Sequence, residues 1–332
     1  MVARVSWLGT LVACLVTVLI LTGCDEADER VAKPDLKGEV DHSTVVQVDA
    51  ASGRVSAVVP VGPDPLLLTK AAGQVWTVNL GDATLSRVDP SADSATSVNL
   101  GEAVGVASDG KNLWAAADGT TLVRIDGVTG AEERRLRLRR RPLFAPRDAG
   151  FLGFGRASIW LTVPELGRPE ARHALWRIDP GTGRAIAKFP LRRDPLSPLV
   201  DGRYVWIVSL SENSLTRIDS RSTKATTIRV GAVPLALAAG AGSVWVGHEL
   251  EREVWRLDPE TTQPTAKIPI DGAIRGLAFG GGFVWVTTEG DLHSIDPATN
   301  EVTREIQLMS PSPDLGPIGV VYLDGSVWVS VE

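Results

Sequence analysis

A tryptophan set among apolar residues recurs at Trp76, Trp114, Trp160, Trp206, Trp245, Trp285 and Trp328, inside VWTV, LWAA, IWLT, VWIV, VWVG, VWVT and VWVS. The interval is about forty residues. Out of phase with it runs a second series, VQVDA, SRVDP, VRIDG, WRIDP, TRIDS, WRLDP and HSIDP, carrying Asp49, Asp89, Asp126, Asp179, Asp219, Asp258 and Asp296. Both series alternate with period two, which is the spacing of strands. An aspartate closing such a run starts a tight turn, because its carboxylate accepts backbone N–H groups and a following proline presets φ.

A unit of this length cannot bury both faces by itself, whereas copies stacked side by side can. Residues 234–271 resolve into PLALAAG, SVWVG, EVWRLD and TAKIPID, four strands per unit. Small residues suit an inner strand where neighbouring sheets converge, and the indole suits the wider gap farther out. The reading is all-β: a seven-bladed β-propeller of four-stranded antiparallel blades over residues 44–332. Its ends complement each other. The chain opens with only a third and a fourth strand, TVVQVD and RVSAVVPV, and closes with only a first and a second, IGVVYLD and SVWVS. Pairing of the N- and C-terminal strands then closes the ring without a long exposed edge.

The Trp strand followed by an "Arg-Ile-Asp" strand is similar to the seven-bladed bacterial propellers of the YVTN, YncE-like and virginiamycin B lyase-like groups. That resemblance covers residues 44 to 332 and concerns the fold, since such propellers host binding proteins, scaffolds and a few enzymes. A WD40 pattern is missing, because no Gly-His or Trp-Asp pair stands in register. Quinoprotein propellers share repeats such as VDAASGRVSAV but carry their tryptophans on another strand, so no quinone, and no cofactor at all, is expected.

The N-terminus addresses the chain. Residues 1–23, MVARVSWLGTLVACLVTVLILTG, hold one arginine and an apolar run before composition turns to DEADERVAKPDLKGEVD. That is an export signal. LTGC resembles the lipobox of bacterial lipoproteins, which implies that Cys24 takes diacylglycerol and becomes the first mature residue, while Cys14 leaves with the signal. The alternative keeps Val5 to Leu21 as a membrane anchor. Either way the rest lies outside the cytoplasm, anchored to the cell membrane, with residues 24–43 a flexible polar tether. With a formal charge of −6, the chain has no general attraction for nucleic acid.

In a propeller, function sits on the face carrying the second-to-third loops and the crossovers between blades. Three sets of residues stand out there. His248 and Glu249 in one blade, with Glu289, Asp291 and nearby His293 in the next, are the residue types that hold a divalent metal or move protons. Virginiamycin B lyase-like enzymes use histidine and glutamate with Mg²⁺ on such a face, so the resemblance implies a metal-assisted lyase or hydrolase as the alternative function. The run EERRLRLRRRP, with Arg139, Arg140 and Arg141, reads as a solvated outer strand or a contact for an anionic partner. The insertion at residues 162–175 carries Glu165, Arg168, Glu170, Arg172 and His173, and the crossover LRRDPLSP carries Arg192 and Arg193. No Gly-rich phosphate loop and no Ser/His/Asp set stands out. The leading expectation is a membrane-tethered extracytoplasmic binding or scaffold lipoprotein whose loop face holds an envelope protein, a polymer or a small ligand.

Overall fold

The computed structural model describes residues 43–101, 103–138, 151–163, 173–309 and 316–332. The expected signal at residues 1–23, Cys24, the expected tether up to residue 42, Arg139 to Arg141, Glu165, Arg168, Glu170 and Arg172 lie outside these residues. Seven four-stranded antiparallel sheets make a seven-bladed β-propeller. Blade 1 draws on both ends: β1 (Thr44–Asp49) and β2 (Val55–Pro60) are its outer half. Blade 2 is β3 (Pro65–Ala71), β4 (Gln74–Asn79), β5 (Thr84–Asp89) and β6 (Ser94–Val98); blade 3 is β7 (Ala103–Ser108), β8 (Asn112–Ala117), β9 (Thr121–Asp126) and β10 (Glu132–Arg137). Blade 4 is β11 (Leu152–Gly155), β12 (Ser158–Val163), β13 (Ala174–Ile178) and β14 (Ala185–Pro190); blade 5 is β15 (Leu199–Asp201), β16 (Tyr204–Ser209), β17 (Ser214–Asp219) and β18 (Ala225–Arg229). Blade 6 is β19 (Pro234–Gly240), β20 (Ser243–His248), β21 (Glu253–Leu257) and β22 (Pro264–Pro269); blade 7 is β23 (Gly276–Gly280), β24 (Phe283–Thr287), β25 (Asp291–Asp296) and β26 (Glu301–Gln307). The last strands, β27 (Pro317–Leu323) and β28 (Ser326–Val331), return to blade 1 as its inner half.

Closure follows the expected pairing. β1 runs antiparallel to β28 from Thr44 opposite Val331 to Asp49 opposite Ser326. The Gln47 amide donates to Ser326 Oγ at 2.9 Å. Ser330 accepts from the Gly319 N–H and donates to the Leu66 carbonyl, so the closing blade is also tied to blade 2.

All seven repeat tryptophans are buried, each on the second strand of its blade. Trp245 packs with Val284, Val286 and Ile295 of blade 7, and Trp285 with Val46, Val48 and Val327 of blade 1. An indole removed from water in this way contributes roughly 5 kcal/mol of gross transfer energy at ~25 cal/mol per Å². The tryptophans are thus wedges between sheets.

The "Arg-Ile-Asp" strand explains itself in three dimensions. Its arginine stands opposite the tryptophan across the strand pair, as Trp245 faces Arg256 and Trp206 faces Arg217. In blades 2, 4, 5 and 6 the guanidinium reaches the aspartate turn of the next blade, whereas Arg124 of blade 3 pairs with Glu133 of its own outer strand. Arg256 donates to the Pro297 carbonyl at 2.6 Å, Arg217 to Pro259 at 2.7 Å and Arg177 to Ser220 at 3.2 Å, and Arg87 donates to Val128. In blade 7 the position opposite Trp285 is Ser294, and the bond comes instead from Arg304 on β26, which donates to the Ala50 carbonyl of the closing blade. Each turn carbonyl is presented by its aspartate, whose Oδ1 accepts the backbone N–H two or three residues on in all seven blades. The fourth residue after the aspartate has positive φ each time, at Gly53, Asp93, Gly130, Gly183, Thr223, Thr262 and Asn300.

The inner strands are not uniformly small. Phe279 and Tyr322 project from inner strands, and each is accommodated by a glycine of the preceding blade, Gly240 and Gly280. There the tapering gap is filled by one large side chain against a bare backbone rather than by two small ones.

Candidate functional site

The loop face carries the second-to-third loops and the crossovers, and its chemistry is concentrated on blades 5 to 7. His248 ends β20 wholly buried. Its ring lies 4.7 Å from the Trp255 ring, and Nδ1 is 3.2 Å from the Glu253 carbonyl oxygen. Burial holds its pKa below the ordinary histidine value, against the opposing pull of the Glu253 carbonyl and the Glu251 carboxylate, so the ring is neutral near pH 7. Glu249 is half-buried, its N–H donating to the Val233 carbonyl at 3.0 Å.

Asp291 and His293 occupy the opposite side of blade 6, at its boundary with blade 7. His293 is buried and lies opposite Val286, which packs with Ile270 and Ile274 at that boundary. Burial lowers its pKa, while Glu305 and Asp271, including the Asp271 backbone, pull it upward. Its Nε2 is 3.5 Å from Thr288 Oγ1. Asp291 is pushed up to about 6, first by burial and then by the like charges of Glu305, Asp271 and Glu289. Glu289 Oε2 accepts the Ala273 N–H at 2.7 Å, which pins the crossover into blade 7.

His248 and the Asp291–His293 pair therefore face different neighbours. A β-carbon on Gly247 would fall 2.7 Å from Ile274, in the crossover into blade 7. Strand alternation turns the next residue, His248, the other way, toward Gly231 and blade 5. Among the described residues no group of three or more His, Cys, Asp or Glu is placed to hold a metal ion.

The remaining candidates are tied into the scaffold. Arg192 bridges Glu212 at 3.2 Å, and the Arg193 N–H donates to the same carboxylate, joining the crossover between blades 4 and 5 to the loop after β16. The His173 carbonyl accepts the Leu191 N–H at 2.8 Å, at the start of β13. The basic strand β10 is partly neutralised: Arg135 meets Glu132 at 2.8 Å and Asp118 at 3.4 Å, and Arg124 meets Glu133 at 3.1 Å.

Sequence reasoning passed over Glu251, Asp271 and Glu305. Aligning the blades strand by strand would have found Glu305. The third-to-outer pair is Trp176 with Lys188 in blade 4 and Trp255 with Lys267 in blade 6, each lysine over its ring at 4.0 and 3.7 Å. Blade 7 replaces that pair with His293 and Glu305.

No protein-family model and no curated protein matches the chain. Solved structures match its fold. Hydrazine synthase of Kuenenia stuttgartiensis superposes with a TM-score of 0.60 at 16% identity, over 86% of this chain and 99% of that one. The dihydro-heme d1 dehydrogenase NirN, in complex with DHE, gives a TM-score of 0.56 at 14% identity, over 88% and 68%. U3-55K gives a TM-score of 0.62 at 8% identity, over 81% and 96%. At such identities these likenesses establish the propeller and leave the activity to the site.

Proposed function

We propose that this chain is an extracytoplasmic binding or scaffold lipoprotein, exported by residues 1–23, lipidated at Cys24 and tethered by residues 24–43, whose loop face holds a positively charged partner in the cell envelope. The observation that carries the reading is the blade 6/7 boundary, where burial, and after it the like charges of Glu305, Asp271 and Glu289, raise the Asp291 carboxyl to about 6. Like charges held at that cost on a loop face are relieved by a cationic ligand. Glu249 and Glu251 extend the acidic surface across blade 6. An envelope protein with a basic segment, or a polymer bearing amines, has the complementary chemistry.

The test is cross-linking and pull-down from intact cells, comparing the wild type with a Glu289→Gln/Asp291→Asn double variant and with Cys24→Ala. The reading requires one envelope partner that is captured by the wild type and lost with the double variant, and membrane association that is lost with Cys24→Ala. Equal capture by wild type and double variant would remove the loop face from the account.

A further inference from the structure

The corner between blades 5 and 6 presents hydrogen-bond acceptors around a residue that has no side chain. His248 Nδ1 faces the Glu253 carbonyl oxygen, which can only accept, so in the neutral ring the proton sits on Nδ1. Nε2 is then a lone-pair acceptor, buried and without a donor among the described residues. A buried acceptor left in this way calls for a donor.

The second acceptor is the Glu251 carboxylate. Gly231 lies in the crossover between β18 and β19; a β-carbon on it would fall 1.9 Å from Glu251 Oε2 and 2.8 Å from His248 Cδ2, the ring carbon bonded to Nε2. The carboxylate and the Nε2 edge of the ring thus converge on bare backbone. Neighbouring groups are otherwise engaged: Glu253 accepts from Trp255 Nε1 at 2.9 Å, and Lys267 sits over the Trp255 ring at 3.7 Å. Leu250, next to Glu251 in the same loop and 70% exposed, offers an apolar side chain to solvent.

We infer that the corner formed by His248, Glu251 and Gly231 binds an organic ammonium group, which donates one N–H to Nε2 and another to the Glu251 carboxylate while its alkyl stem lies against Leu250. Shape and chemistry favour an ammonium over a metal ion. A metal needs three or four converging protein ligands, which the described residues do not assemble, whereas an ammonium needs acceptors alone. The inference rests on the loop face being the binding surface, and adds the chemistry recognised there. The ammonium belongs either to a free amine or to a lysine of a protein partner.

The full-length chain in detergent, at about pH 7.5, is titrated with n-butylammonium, the peptide Gly-Lys-Gly and tetramethylammonium, following the ¹⁵N resonance of His248 Nε2. The expected result is a saturable shift with the first two and none with tetramethylammonium, which has the charge but no N–H. Gly231→Ala, whose β-carbon would press on the Glu251 carboxylate and the His248 ring, and Glu251→Gln should each weaken binding by about tenfold or more, the latter with a melting temperature near that of the wild type. Tighter binding of the peptide than of butylammonium, by about tenfold, assigns the ammonium to a protein lysine; equal affinity assigns it to a free amine. A response to tetramethylammonium equal to that of butylammonium, affinities unchanged by Gly231→Ala, or an Nε2 shift produced by Zn²⁺ and not by the amines would overturn the inference. A silent Nε2 beside successful partner capture sinks this site alone, and a titrating Nε2 beside failed capture sinks only the partner.

Discussion

The ring of Phe279 fills the space in which Gly240 would carry a side chain: a β-carbon on Gly240 would lie 2.0 Å from Phe279 Cγ. The same relation joins Tyr322 to Gly280 at 2.3 Å, one blade farther round. Gly240→Ala should therefore destabilise the propeller by about 1–3 kcal/mol through overpacking. In a Phe279→Ala background the same substitution should cost far less, because the clash has gone. A double-mutant cycle on thermal melts measures the difference.

Arg304, on the outer strand β26, ties blade 7 to the closing turn at Ala50. Arg304→Ala should cost about 1–2 kcal/mol, as expected for a charge-assisted bond to a partly buried carbonyl. Ser294 stands where Arg256 and Arg217 stand in their blades, opposite the tryptophan. Adding Ser294→Arg to the variant should restore part of the loss. Chemical denaturation of the three proteins decides this, and no recovery at all would mean that the latch is not a property of the repeat.

Thr223 holds φ at 60°, four residues after Asp219, with its N–H donating to the aspartate carbonyl. A β-branched residue is strained in that conformation, and glycine occupies the equivalent place at Gly53, Gly130 and Gly183. Thr223→Gly should stabilise the chain by about 0.5–1 kcal/mol, the left-handed penalty less the entropy of glycine. Unchanged or lower stability in urea titrations would refute the account.

Six of the turn aspartates, Asp49, Asp89, Asp126, Asp179, Asp219 and Asp258, have pKa values held below 3.8 by hydrogen bonds from the following residues. Their contribution is complete above that value and is lost as pH falls through their folded pKa values. Stability should drop below about pH 4 with uptake of several protons, seen as a steep fall of the melting temperature between about pH 4 and 2.

Asp291 behaves in the opposite sense. Its folded pKa is raised from 3.8 to about 6, so the native state holds the proton more tightly and loses stability as pH rises through that range. Asp291→Asn should be more stable than wild type above about pH 6, by about 1 kcal/mol once solvent screening is allowed for, and equal to it below about pH 4. Parallel melts at both pH values check this.

Blade count, strand order and ring closure were legible because they rest on local patterns: period-two runs, a tryptophan every blade and an aspartate at every third-strand turn. The site was only partly so. His248, Glu289 and Asp291 were visible as polar residues in loop-face segments, yet their grouping depends on which side of a sheet each strand turns outward and which crossover covers it. Asp271 and Glu305 come from an interblade crossover and an outer strand, and nothing in their local runs joins them to His293.

From its sequence alone this protein is committed to a seven-bladed ring, since a repeat with two apolar faces has no other means of burying both. Tertiary packing decided the rest. It set Phe279 on Gly240, drew the blade 7 latch from Arg304, and sent His248 and Asp291 to opposite sides of blade 6. Each of these is a contact between neighbouring blades, settled by what stands across the gap rather than by what lies beside it in the chain.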